Sequence, residues 1–140
     1  MFARTSSYAP QALGLLRIVT GLLFLQHGTQ KILSFPMAAN AVATSPFSQP
    51  PLMLVGGILE LVGGALIIVG LFTRPVAFVL SGMMAVAYFM FHSPGSLYPI
   101  LNRGDLAILF SFVFLYLVAA GPGAWSLDGM RRGDRRLGAA

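Results

Sequence analysis

Gly56-Gly57-Ile58-Leu59-Glu60-Leu61-Val62-Gly63-Gly64 is the stretch whose reading decides how this chain folds. It sits inside an apolar run from about Pro51 to Phe72, with a single carboxylate at its middle. At about 100° per helical residue, Gly56 and Gly64 stand one turn before and one turn after Glu60, and Gly57 and Gly63 flank it. The acid therefore projects from a helical face almost bare of side chains. Small residues four apart let a second helix approach closely within a membrane, so Glu60 is expected to face the interior of a packed bundle and not lipid. At that depth a carboxylate costs roughly 2.5–3.5 kcal/mol on insertion scales unless it is protonated, paired or hydrated.

The surrounding chain has the composition of a membrane protein. Of 140 residues, 56% are hydrophobic and only 9% are charged, whereas charged residues make up about 25% of a soluble domain. Mean hydropathy is +0.80. At roughly 20 residues per spanning helix, the length accommodates four spans and no attached soluble domain. The expected fold is all-α: a polytopic four-helix membrane bundle forming one domain over residues 1–128, with a basic tail over 129–140. The net charge of +5 is concentrated in that tail at Arg131, Arg132, Arg135 and Arg136. Beside apolar helices such a cluster reads as a topology determinant and a lipid-headgroup contact. Nucleic-acid binding is not expected, because no domain is there to position the arginines. Cysteine is absent, which excludes a disulfide framework, thiol redox chemistry and cysteine-ligated metal, and no metal site is expected.

Spans are expected at about residues 11–33, 51–72, 75–92 and 104–120. The first is read as a retained helix and not a cleaved signal. Arg17 and His27 interrupt its apolar run, and the small-residue sites from Ala39 to Ala43 lie well beyond its end. Ser34 to Pro50 is an uncharged loop carrying Pro36, Pro46 and Pro50. Thr73-Arg74-Pro75 reads as a very short turn, Pro94, Gly95 and Pro99 mark a further loop, and Gly121-Pro122-Gly123 stops the last span. Ala124 onward is expected to form an amphipathic or disordered tail. An even number of spans puts both termini on one side, with Arg4, Arg74 and the tail arginines, and leaves Lys31 and Arg103 on the other. The excess of basic residues then places both termini in the cytoplasm.

On the first helix Arg17, Gly21, Phe24, Gly28 and Lys31 share one stripe, bordered by His27, while Gly14, Gly21 and Gly28 recur every seven residues. The first two helices are therefore expected to face each other across glycine grooves. From the helical rise, Arg17 lies about 9 Å and Glu60 about 16 Å from the cytoplasmic side, a difference most of which an arginine side chain can span. His27 lies roughly 8 Å further out than Glu60, with Lys31 near the outer surface. His92 ends the third span on that side, and Asn102-Arg103-Gly104-Asp105 opens the fourth. Candidate ligand-binding residues at the outer mouth are thus His27, Gln30, Lys31, His92, Asn102, Arg103 and Asp105. Glu60, as a proton relay, and Arg17 are the candidate catalytic groups beneath them. Each has a plainer reading: Glu60 and Arg17 as an ion pair fixing helix register, Lys31 and Arg103 as snorkelling anchors, Asp105 as a helix N-terminal acid, and His92 as a cap. The run from Phe110 to Tyr116 reads as lipid-facing or core packing ahead of a ring-stacking site.

Taken in order, these motifs resemble the DoxX family of small bacterial membrane proteins. The resemblance rests on Arg17-Ile18 through Gly21-Leu22-Leu23-Phe24, on His27-Gly28-Thr29-Gln30-Lys31, and on Leu59-Glu60-Leu61-Val62-Gly63-Gly64. It continues with Gly70-Leu71-Phe72-Thr73-Arg74, Asn102-Arg103-Gly104-Asp105 and Gly121-Pro122-Gly123-Ala124-Trp125-Ser126-Leu127-Asp128, and so spans about residues 13–128. Asp105 stands where the family has either Asp or Glu. The resemblance implies a multi-pass protein of the bacterial inner (plasma) membrane. It also implies links to quinol oxidase or thiosulfate:quinone oxidoreductase complexes, to quinone or catechol stress, and to membrane-bound oxidative-stress assemblies.

Two functions follow. In the first, the chain is a quinone-associated redox or oxidative-stress subunit. A carbonyl headgroup takes hydrogen bonds from His27, Gln30 or His92, and Glu60 accepts or relays protons, with apolar walls favouring its neutral form and Arg17 its ionised form. Quinone is then the implied ligand. The sequence carries no cysteine and no dinucleotide fingerprint, and two histidines are a thin basis for haem. Electrons would come from a redox partner protein or a substrate. In the second, it is a non-enzymatic scaffold or small-molecule binding module that holds partner redox proteins at the lipid bilayer. A homo-oligomer is compatible with both. A proton- or ion-coupled transporter ranks third, since neither internal symmetry nor broken helices are evident.

Overall fold

Proline and left-handed backbone set the helix limits in the computed structural model, which describes residues 6–37, 39–40, 42 and 45–131. Helix α1 (Ala9–Leu33) carries Pro10 in its first turn and ends at Ser34, whose φ is 53°. Helix α2 (Pro51–Val69) opens on proline and stops at Gly70, with φ of 68°. Helix α3 (Thr73–Ala87) runs on into a π-helical turn, Tyr88–His92. Helix α4 (Asp105–Ala120) closes the series. A 3₁₀ turn, Pro46–Ser48, and a single helical turn, Pro99–Asn102, lie in the connections, and no strand occurs among the described residues.

Helices α1 and α2 pack antiparallel with their backbones in contact. A methyl group on Gly28 would stand 2.8 Å from Leu61 Cα, one on Gly64 would meet Leu25 Cα at 3.0 Å, and one on Gly21 would meet Ile68 N at 3.0 Å. Each step along α1 is therefore matched by a step back along α2, with Gly21, Gly28, Gly57 and Gly64 at the contact, while Gly14 packs on the Ala124–Trp125 turn and Gly56 meets no neighbour. Helix α3 touches α2 where Gly63 admits Leu80. It binds α4 through a reciprocal pair: Ser81 Oγ donates to Ser111 O at 2.8 Å and Ser111 Oγ to Ser81 O at 3.0 Å. Such small and hydroxylated contacts are how helices associate in lipid. The bundle centre is aromatic, with the buried Phe24 ring edge-on to Phe110 at 5.2 Å and to Phe114 at 4.9 Å.

Among the described residues, three helices are long and apolar enough to cross a membrane: Ala9–Leu33, Pro51–Val69 and Thr73–His92. Helix α4, at 16 residues, is shorter, about 24 Å of rise. Two sequence expectations need correction. The turn after α2 is Gly70–Phe72 and not 73–75, because Thr73 already lies in α3 and the Asp128 carboxylate accepts from Phe72 N at 2.9 Å and Thr73 N at 2.8 Å. The chain beyond Ala124 is likewise no loose tail up to residue 131. Ala124 N donates to Pro10 O at 2.8 Å and Asp128 N to Gly70 O at 2.9 Å, and residues 127–131 are helical. Both ends of the described chain thus meet at one end of the bundle. Arg4, Arg132, Arg135 and Arg136 lie outside the described residues.

Gly28→Ala tests the seam. Alanine favours the helix by about 1 kcal/mol, but here its methyl meets backbone that cannot step aside. Net destabilisation of about 1–3 kcal/mol is expected as a lowered thermal midpoint in detergent. Gly82→Ala, on α3 with nothing within 4 Å of the new methyl, is expected to hold or raise it.

Candidate functional site

In a helix every Cα–Cβ bond tilts toward that helix's own N-terminus. In the antiparallel pair α1–α2 this tilt decides which charges meet. Lys31, near the C-terminal end of α1, leans inward, while Glu60 on α2 leans outward toward Pro51. Lys31 Nζ donates to Glu60 Oε1 at 2.6 Å, and the side chain of Lys31 is 29% exposed. Glu60 is 4% exposed, and its second oxygen, Oε2, is buried without a hydrogen-bond partner among the described residues.

By the same geometry Arg17 and Glu60 lean apart, so the expected Arg17–Glu60 pair does not form. Arg17 is fully buried and lies level with the end of α2. Its Nε donates to Pro122 O at 2.8 Å, Nη1 to Ile67 O at 2.6 Å and also to Ile68 O, and Nη2 to Ala124 O at 3.2 Å and Trp125 O at 2.8 Å. Ile67 lies seven residues beyond Glu60, about 10 Å along the helix. The five N–H donors of the guanidinium are thus met by backbone carbonyls at the end of α2 and in the 122–125 turn. Arg17 ties the C-terminal segment to the bundle and takes no part in the cavity.

That cavity, of about 410 Å³, lies at the opposite end between α2 and α3, with α1 behind it and the start of α4 to one side. Five sequence candidates line it: His27, Lys31, Glu60, His92 and Arg103. Four do not. Gln30 Nε2 reaches out to Pro36 O at 3.5 Å, and Asp105 is exposed in the first turn of α4. Asn102 is occupied with the connection, donating to Ser96 O at 2.7 Å and accepting from Gly104 N at 2.7 Å. Arg17 is the fourth.

His92 sits in the π-helical turn, a distortion common at functional positions. Its Nδ1 is 3.0 Å from Asn102 O, and its ring stacks on Tyr88. A carbonyl oxygen only accepts, so Nδ1 carries the proton and the neutral ring keeps Nε2 as an acceptor. Nε2 is then the ring nitrogen left for a ligand, accepting from the neutral ring and donating from the protonated one. The ring of His27 meets the edge of Phe110 at 6.1 Å. Apolar walls come from Phe24, Leu59, Ala107 and the methionines Met53, Met83, Met84 and Met90. Methionine fills irregular space and repacks readily, but with no polar atom to single it out, sequence reasoning passed over this lining.

Arg17→Met leaves the carbonyls of the 122–125 turn unmatched, at about 1–3 kcal/mol for each buried group. Amide exchange at Ala124 and Asp128 is expected to speed up by about tenfold or more, with the cavity unaffected. Unchanged protection at both amides would contradict this role.

The DoxX family model matches residues 12–93, which run from α1 to just past the π-helical turn and include Lys31, Glu60 and both histidines. The chain is similar to an uncharacterized protein of Haemophilus influenzae, 46% identical over 124 residues that cover 86% of this chain and 91% of the relative. It is also similar to an uncharacterized membrane protein of Mycobacterium tuberculosis, 28% identical over 134 residues, covering 85% of this chain and 80% of the relative. No solved structure matches. With more than half of its length matched by the family model, and its apolar helices long enough to cross a bilayer, the chain belongs to the DoxX family and is a membrane-resident protein.

Proposed function

We propose that this protein is a quinone-associated redox subunit of the bacterial inner membrane, and that its cavity receives the head of a quinol. The observation that carries this reading is Glu60: buried, held on one side by Lys31, with Oε2 unpartnered among the described residues, and lining a largely apolar cavity that also takes in His27, His92 and Arg103. A buried acceptor left unmatched costs free energy, and a ligand donor relieves that cost. With Nδ1 engaged by Asn102 O, the neutral ring of His92 offers Nε2 as a second acceptor. Two acceptors suit the hydroxyls of a reduced, dihydroxylated ring better than the carbonyls of the oxidised one, while Arg103 and Lys31 supply donors to whichever oxygen remains.

When a quinol is oxidised to the quinone, two O–H bonds break, two protons leave and two electrons depart. Glu60, held in place by Lys31, takes one proton from the hydroxyl it binds, and His92 Nε2 takes the other from the second hydroxyl. The electrons pass to a partner redox protein, since this chain has neither cysteine nor a dinucleotide fingerprint. Four spans with both termini in the cytoplasm fit this arrangement. They put Arg74 and Arg131 on the inner side and open the cavity toward the outer leaflet. The scaffold reading has one observation in its favour: Arg17 and Asp128 dock segment 121–131 onto the bundle, and so present Arg131 at its surface beside Phe72.

Protein purified in native lipid is expected to retain a quinone or quinol, identified by mass spectrometry. Glu60→Gln keeps the size of the side chain but turns an acceptor into an amide donor. It is expected to weaken quinol binding by about tenfold while sparing the oxidised form. Equal quinol affinity in the variant would remove Glu60 from the site. If binding survives but deletion of residues 131–136 abolishes partner co-purification, the scaffold reading takes over.

A further inference from the structure

Helices α2 and α3 are in contact at one end and apart at the other. Their connection spans only Gly70–Phe72, and Gly63 lets Leu80 press against α2. Toward Pro51 and His92 they diverge, and the cavity fills the gap. The residues on its rims are apolar and face outward: Val55 is 54% exposed on α2 and Val86 55% exposed on α3, and both line the cavity. Leu52 and Met90 continue the rims toward the loop end. Glu60 lies nine residues into α2, about 13 Å from its start, so the opening faces the hydrocarbon region and not the headgroups.

Among the described residues, two glycines stand in open space, with nothing within 4 Å of where a Cβ would be: Gly56 on α2 and Gly82 on α3. Of these only Gly56 lines the cavity, one turn of helix from Glu60 on the side toward the loop end. Every other α2 glycine before Gly70 is pressed against a neighbour (Gly57 and Gly64 by α1, Gly63 by α3), which explains its small size by packing. Packing does not explain Gly56. A glycine in a helix interior costs about 1 kcal/mol relative to alanine, and here nothing but the cavity occupies the space it leaves.

We propose that the ligand reaches the site sideways, from the bilayer, through the gap between α2 and α3, and that the missing side chain of Gly56 sets the width of that passage. This rests on the reading of the cavity given above and narrows the ligand to a membrane-dissolved amphiphile. Its ring-sized polar head reaches Glu60 Oε2, and its apolar tail stays between Val55 and Val86 in lipid. A volume of about 410 Å³ suits a substituted ring and not a long chain, so the tail has to remain outside. The flexible methionine walls adjust around the head as it passes.

The test uses the full-length protein in lipid nanodiscs with decylubiquinol, kept reduced, as the probe. Wild type, Gly56→Ala, Gly56→Leu and Gly82→Leu are compared. Both substituted positions tolerate a methyl, because the space around each glycine is empty. Gly82→Leu is expected to bind as wild type does. Gly56→Ala is expected to weaken binding by about threefold and Gly56→Leu by about tenfold or more. If the leucine variant fails to assemble, the alanine variant decides. The same head without its decyl tail is expected to bind at least about tenfold more weakly, because it does not concentrate in the bilayer. Undiminished affinity in the Gly56 variants overturns the passage and leaves the cavity reading standing. Absence of binding in wild type overturns both.

Discussion

Surrounded by lipid, an ionised side chain has no water to satisfy it, and the Lys31–Glu60 contact across the α1–α2 seam is what makes the carboxylate tolerable at that depth. The glycines around it are not decoration. Gly57 lies against Lys31 Cβ, and Gly28 and Gly64 bring the two backbones together, so the ammonium reaches the acid without crossing a gap. An ion pair of this kind gains little unless its geometry is good and its remaining valences are met. Here one valence, at Glu60 Oε2, is unmet among the described residues, and Glu60 lines the cavity.

Arg17 shows the opposite solution in the same helix pair. Its guanidinium meets carbonyls on every side, five acceptors from two segments distant in sequence, and nothing is left for a ligand. One buried charge has its donors met by backbone carbonyls, and the other has one of its two oxygens unmatched among the described residues. The separation along the bundle follows from the antiparallel register and the N-terminal tilt of helical side chains. The termini end is held shut by Arg17 and by Asp128 capping α3, while the loop end is where α2 and α3 spread. Rigidity at one end permits an opening at the other.

Much of this was legible in the chain. The glycine stretch around Glu60 and the seven-residue glycine repeat on α1 gave the α1–α2 pairing, since both encode close approach at helical spacing. His27, Lys31, His92 and Arg103 were placed at one mouth from helix ends alone. What was not legible was the partner of each charge. Depth along an axis suggests that Arg17 can reach Glu60, but only the direction of the side chains shows that they diverge and that Lys31 converges instead. The role of the Gly121–Asp128 segment was equally hidden. Its carbonyls and the Asp128 cap act through contacts about 50 to 110 residues apart in the chain, which no local pattern records. Gln30, Asn102 and Asp105 fell near the mouth in sequence but are turned to the connections or to the surface.

Glu60 is the sole glutamate and Lys31 the sole lysine in the sequence. Protein labelled with ¹³C at the glutamate carboxyl and ¹⁵N at the lysine ammonium therefore carries one isotopic pair. Its dipolar coupling, read by solid-state magnetic resonance in lipid bilayers, reports this contact and no other. Strong dephasing is predicted, as an N···O distance of 2.6 Å requires, together with a shift of the carboxyl signal when decylubiquinol is added. A carboxyl signal that does not dephase would place the two groups apart and contradict the account at its centre.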